Sequence, residues 1–195
     1  MGGVWERQIR SVRNVLSALL KEHSDSLNDE SFRTLLTEAE CIVNSCPLTV
    51  EDINDPTSLP ISPNTILTMK TKVVLPPPGD FQKSNIYCRK RWRHVQHLAN
   101  EFWLKWKRQY LSSLQSRSKW HKSQPNLAIN DIVLVKDDEV CRNQWPLARI
   151  TEVFPDPKDK LVRQVQLCLP SAKSELKRPI HKLVLLVKAK QEESV

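Results

Sequence analysis

The side chains with the clearest chemical bias in this sequence are cationic, and they crowd into one stretch. Residues 81–125 carry 11 Lys and Arg against 1 acidic residue, a net +10, whereas residues 1–80 sum to −4 and residues 126–195 to +2. Within that stretch Arg89, Lys90, Arg91, Arg93, Lys105, Lys107, Arg108, Arg117 and Lys119 alternate with Trp92, Phe102, Trp103, Trp106 and Tyr110. Cationic side chains neutralise phosphates and release the counterions condensed on them, so such a stretch is the electrostatic footprint expected of a nucleic-acid backbone contact. The same charges also suit the wet face of a helix whose aromatic stripe is core, and the two readings stand side by side at this level. The aromatics themselves are assigned mainly to packing.

Other chemistry is sparser. Near the N-terminus Glu6, Arg10 and Arg13 fall at i, i+4 and i+7, which puts a carboxylate and two guanidinium groups on one helix face. His94 and His97 stand three apart, a spacing at which two imidazoles can share a metal, but no Cys or carboxylate sits at ligand spacing beside them. The preferred reading makes them polar-face histidines that add to a basic surface. Five cysteines, Cys41, Cys46, Cys88, Cys141 and Cys168, are an odd count without a CxxC pair, which argues for reduced thiols. No GxSxG, Gly-rich phosphate loop or metal-ligand cluster is present, so a stand-alone enzyme is not expected and no cofactor is assigned to the chain.

Hydrophobic periodicity supplies the elements that would position these groups. Residues 1–50 read as two amphipathic helices, the first with Ile9, Val12, Val15, Leu16, Leu19 and Leu20 along one side. The second is expected to be capped by Asn28, to bury Phe32, Leu35, Leu36, Ala39, Ile42 and Val43, and to stop at Pro47. Residues 51–83 read as a Pro-rich linker lying over the helices, anchored by Ile61, Ile66 and Leu67. Residues 84–120 form the long basic helix, whose stripe Trp92, Val95, Ala99, Phe102, Trp106, Tyr110 and Leu114 repeats every three or four residues. Residues 121–188 hold short runs rich in Val, Ile and Leu at 132–136, 147–154, 161–169 and 180–187, which suit a small antiparallel barrel of four or five strands. Residues 189–195 are expected to be a disordered tail. The fold class is therefore α+β.

In order along the chain, GGVWE (2–6), NSCPLT (44–49), SPNTIL (62–67), RWRHVQHLANEFWLKWKRQYL (91–111), LQSRSKW (114–120), DIVLVKDD (131–138), WPLARITEVFP (145–155) and RPIHKLVLL (178–186) resemble the C-terminal part of the integrase region of Pao/BEL-type retrotransposon polyproteins. The resemblance runs nearly end to end. It implies that residues 1–50 are the last helices of an RNase H-like catalytic core and that Glu6 matches the final carboxylate of an Asp, Asp, Glu triad. A complete triad would hold two Mg or Mn ions for strand transfer. Only five residues precede Glu6, so the chain as given is expected to be catalytically incomplete and to hold no metal through Glu6 alone. The resemblance further implies that Arg10 and Arg13 lie along DNA, and that the region from about Arg91 is the family's C-terminal domain of unknown function, ending in an SH3-like barrel. Three positions depart from the family pattern: Cys46 replaces a usual Arg, and Asn130 and Lys160 each replace a turn Gly.

The expectation is thus a DNA-integration fragment that binds DNA largely without sequence preference. The alternative is an interaction or oligomerisation module that uses the Trp-rich helix against another copy or a missing integrase core. No apolar run reaches the roughly 20 residues of a membrane span and no signal peptide is evident, so no membrane partner and a cytoplasmic or nuclear location are expected.

Overall fold

A computed structural model describes residues 3–23, 27–52, 59–70, 76–79, 91–115, 126–137, 140–169 and 175–189. Its elements follow the expected α+β order, with helices in the N-terminal part and then a five-stranded antiparallel sheet. The chain divides into two units: residues 1–45, 73–112 and 141–143 make one, and residues 46–72, 113–140 and 144–195 the other.

The first unit is helical. Helix α1 spans Gly3–His23 and buries Val15 and Leu19. Helix α2 spans Asp29–Asn44, and the Asn28 side chain accepts the Ser31 N–H at 3.0 Å, satisfying one of the amides that a helix start leaves without a partner. Leu35, Ala39 and Ile42 form its buried face, while Leu36, expected inside, is 39% exposed. Helix α4 spans Arg91–Leu114, 24 residues or about 36 Å. Residues 84–90 and 116–120, expected to extend it, lie outside the described residues, but residue 115 is no longer helical. Its first turn contains no acidic residue and does contain Arg91 and Arg93, which oppose the helix dipole, so packing rather than capping must hold it. Val95, Leu98, Ala99, Phe102 and Trp106 are at most 2% exposed, each large one contributing about 1.5–3 kcal/mol by burial. Trp92, expected on the same stripe, is 51% exposed. It sits in the first turn, at the end of the helix.

The second unit is built on the sheet. Strands β3 (Ile132–Val135), β4 (Leu147–Pro155), β5 (Val162–Cys168), β6 (Glu175–Pro179) and β7 (Leu183–Val187) lie in the order β6-β5-β4-β3-β7 with every pair antiparallel. Val133, Ala148, Ile150, Val162, Val165, Leu167 and Leu183 form one apolar cluster. Within the run 161–169 the β4–β5 register shifts between Phe154 and Pro155, where Pro155 pairs with Val162, so Val162 and Val165 both join the cluster while Leu161 is exposed. The run expected to begin at Ile180 starts with a 3₁₀ turn, Ile180–Lys182, and only then becomes β7. Strand β6, which had no separate sequence signal, is an edge whose Lys177 and Arg178 face solvent and discourage further pairing.

Buried Asp131 ties the ends of this sheet together. Its carboxylate accepts the Ala128 N–H and the Ala189 N–H, both at 2.9 Å, from the chain entering and the chain leaving the sheet. Ala189 is thereby held, although a disordered tail was expected from 189; residues 190–195 lie outside the described residues. Asn130 and Lys160 adopt φ of 68° and 56°, the left-handed region that favours Gly, at the two turn positions where the family resemblance expects glycine.

Residues 46–72 group with the sheet unit, where a linker over the helices was expected. They form a two-stranded pair, β1 (Thr49–Val50) with β2 (Pro60–Ile61), and a one-and-a-half-turn helix α3 (Pro63–Thr68). Ser62 and Thr65 cap that helix reciprocally, and Pro63 occupies its first turn, where a missing N–H costs nothing. Ile66 and Leu67, expected as anchors, are 56% and 73% exposed. Cys46, where the resemblance expects an Arg, is buried.

Candidate nucleic-acid interface

Helix α1 presents Glu6, Arg10 and Arg13 on its exposed side. Their spacing keeps them on one face, and neither arginine pairs with an acidic side chain among the described residues. The Glu6 carboxylate has no second carboxylate near it in any group of three metal-ligating side chains among the described residues.

Helix α4 divides its cations. Arg91, Arg93 and Arg108 are exposed and form no ion pair among the described residues, which leaves their guanidinium groups available to phosphate. Lys105 is turned toward α1, with its ammonium 3.7 Å from Glu22 Oε2. Lys107 departs from the expected exposed row: it is 5% exposed, with its ammonium 5.9 Å from the centre of the Trp103 ring. Burial puts Lys107 out of reach of a phosphate in this conformation and lets the Trp103 π-face offset part of the lost hydration. Arg89, Lys90, Arg117 and Lys119 lie outside the described residues. Of the aromatics, Phe102, Trp103 and Trp106 are packed inside the helical unit, and Phe102 stacks on Trp106 with ring centres 6.3 Å apart.

The histidines correct the sequence reading. His94 and His97 are 4% and 9% exposed, so they are not polar-face residues. His97 Nε2 lies 3.3 Å from one oxygen of Glu101, and His23 Nε2, from α1, lies 3.4 Å from the other. His94 stands edge-on to His23 with ring centres 6.3 Å apart. Burial, followed by the charges of His23 and His97, holds the His94 imidazole below its ordinary protonation range.

A second polar cluster in the same unit had no sequence signal. Arg142, whose segment 141–143 belongs to the helical unit, has a side chain 2% exposed. Its guanidinium donates to Gln96 Oε1 at 2.7 Å, Glu38 Oε2 at 3.0 Å, Asn100 Oδ1 at 3.1 Å and the Gln96 carbonyl at 3.4 Å. Gln96 in turn donates to Glu38 Oε1 at 2.7 Å, closing a ring of hydrogen bonds across α2 and α4. Burial lowers the Arg142 proton affinity and the Glu38 carboxylate counters it, so the arginine is a structural cation rather than a phosphate contact.

Cys41, Cys46, Cys141 and Cys168 are free thiols, and Cys88 lies outside the described residues. Among the described residues no helix is long and apolar enough to cross a membrane. No curated protein and no solved structure matches the chain significantly. Residues 90–186, which contain α4 and the five-stranded sheet except the last residue of β7, match the model of a family of unknown function, DUF5641.

Proposed function

We propose that this chain is the C-terminal, DNA-handling part of a retroelement integrase of the Pao/BEL type, which grips the phosphate backbone without reading sequence and performs no catalysis by itself. The observation that carries this reading is the net +10 over residues 81–125, together with the exposure of Arg91, Arg93 and Arg108 on α4 and of Arg10 and Arg13 on α1. Guanidinium groups without acidic partners lose no ion pair on meeting phosphate, and the released counterions drive association. The strand order β6-β5-β4-β3-β7, with a 3₁₀ turn leading into β7, supports an SH3-like barrel as the second half of the match over residues 90–186. Glu6 keeps its integrase role only beside two aspartates, with Mg or Mn held between them.

Titration of a labelled random duplex with the purified chain, followed by fluorescence anisotropy at low and high salt, tests this reading. Binding that weakens steeply with salt supports it. Absence of binding at 50 mM salt, or equal affinity at 50 and about 300 mM, refutes it.

One observation favours the alternative of an interaction module. Trp92 is 51% exposed between two arginines, a composition typical of interface anchors. The rest of the aromatic stripe is used inside the helical unit, so any such contact would centre on Trp92 rather than on Trp103 or Trp106. Concentration-dependent sedimentation that Trp92→Ala abolishes would favour this alternative over DNA binding.

A further inference from the structure

The geometry points to a binding site for one divalent first-row transition-metal ion in the helical unit, formed by Glu22, His23 and Glu101. Glu22 and His23 are the last two residues of α1, and Glu101 lies at the middle of α4. Each offers one ligand atom, and these atoms all lie within 4.8 Å of one another. Donors about 2.1 Å from a tetrahedral ion are about 3.4 Å apart, so side-chain rotations that close up to about 1.4 Å bring the three donors onto one ion.

A second observation is independent of that proximity. Glu101 Oε2 is buried and accepts no hydrogen bond. It faces His23 Nε2 at 3.4 Å, longer than an ordinary N–H···O bond. The Glu101 side chain is 29% exposed and meets an imidazole at each oxygen, so an ion between Oε2 and the His23 nitrogen would replace a long imidazole–carboxylate contact with two coordination bonds. His97, four residues before Glu101 on the same face of α4, approaches the other oxygen at 3.3 Å and acts as a positioning residue for the carboxylate.

The donor set selects the ion. One imidazole nitrogen and two carboxylate oxygens, with no thiolate, suit Zn²⁺, Co²⁺, Ni²⁺ or Mn²⁺ rather than Cu⁺, and they provide too few oxygens for Ca²⁺. The Glu22 side chain is 61% exposed, so water reaches the remaining positions of the coordination shell. Lys105, 3.7 Å from Glu22 Oε2, competes for that carboxylate and is displaced when the ion binds. The ion would fasten the end of α1 to α4, a structural role that does not depend on DNA binding.

Co²⁺ titration of the full chain, purified with EDTA and then freed of it, tests the site. One Co²⁺ per chain is expected, with ligand-field absorption and without the intense thiolate-to-metal charge transfer that any of the free cysteines would give. Glu22→Gln, a change on an exposed side chain, should weaken Co²⁺ by about tenfold or more while leaving the metal-free circular dichroism and thermal midpoint unchanged. His23→Asn should abolish binding. Zn²⁺ should displace Co²⁺, and Mg²⁺ should not. The inference is overturned if Co²⁺ does not saturate by 1 mM, if its spectrum is that of a thiolate complex, or if both variants bind as the parent does.

Discussion

Replacing Arg142 by Met should be among the most damaging single changes to the helical unit. The side chain is 2% exposed and donates to Glu38, Gln96 and Asn100, so the substitution leaves a carboxylate and two amide oxygens facing an apolar side chain. Breaking a buried ion pair on one side costs about 3–5 kcal/mol. Glu38 keeps 24% of its side chain exposed and Gln96 still donates to it, so water and that hydrogen bond recover part of the loss and the expected cost is about 3 kcal/mol. With a urea slope of about 1–1.5 kcal/mol per molar for a unit of this size, the midpoint should fall by about 2–3 M. Urea unfolding followed by the fluorescence of Trp103 and Trp106, both buried in the same unit, reads it directly. The double variant Arg142→Met with Glu38→Gln should be more stable than Arg142→Met alone, because no charge is then stranded. A midpoint shift below about 0.5 M, or a double variant no better than the single, would refute the network as a stabilising element.

The left-handed turns give a prediction of opposite sign: Lys160→Gly, at φ 56°, should stabilise the sheet unit by about 0.5–1 kcal/mol, and Asn130→Gly, at φ 68°, by less because Asn tolerates this region. Loss of stability in the Lys160 variant, read by thermal unfolding, would contradict the backbone assignment. Acid should weaken the helical unit through His94: the unfolded chain takes up a proton at about pH 6.5, whereas folded His94 resists protonation to lower pH, so this contribution is complete above about 6.5 and is lost as pH falls toward the folded value. In EDTA, the urea midpoint should drop between pH 7.5 and 5.5, and His94→Gln should reduce that drop; equal drops in parent and variant would contradict it.

What could be read from the sequence was local. The three-and-four spacing of Val95, Ala99, Phe102 and Trp106 located the buried face of α4 because a helix fixes which residues share a side. Asn28 located the start of α2 because its cap is formed three residues away. The Arg142 cluster was invisible because its partners are 46 and 104 residues distant and because Arg, Gln and Glu are ordinarily surface types. His94 and His97 were misread for the same reason: polar types were placed outside, although the helix is covered on more than its aromatic side. Lys107 followed them inward. Strand β6 has the sequence ELKRP, with no apolar alternation, and becomes a strand because β5 offers it a free ladder edge. Of the candidate interface, the charge surplus was legible, but which cations remain exposed was not.

The salt dependence of DNA binding, measured beside a variant with Arg91, Arg93 and Arg108 changed to Gln, tests the central claim most directly. If Arg10, Arg13, Arg91, Arg93 and Arg108 each neutralise one phosphate, affinity for a random duplex should fall by about 500-fold between 50 and 200 mM salt. The variant, with two such contacts left, should fall by only about 10-fold over the same range. A parent that binds no duplex at 50 mM salt, or a variant whose salt dependence equals that of the parent, would contradict the account.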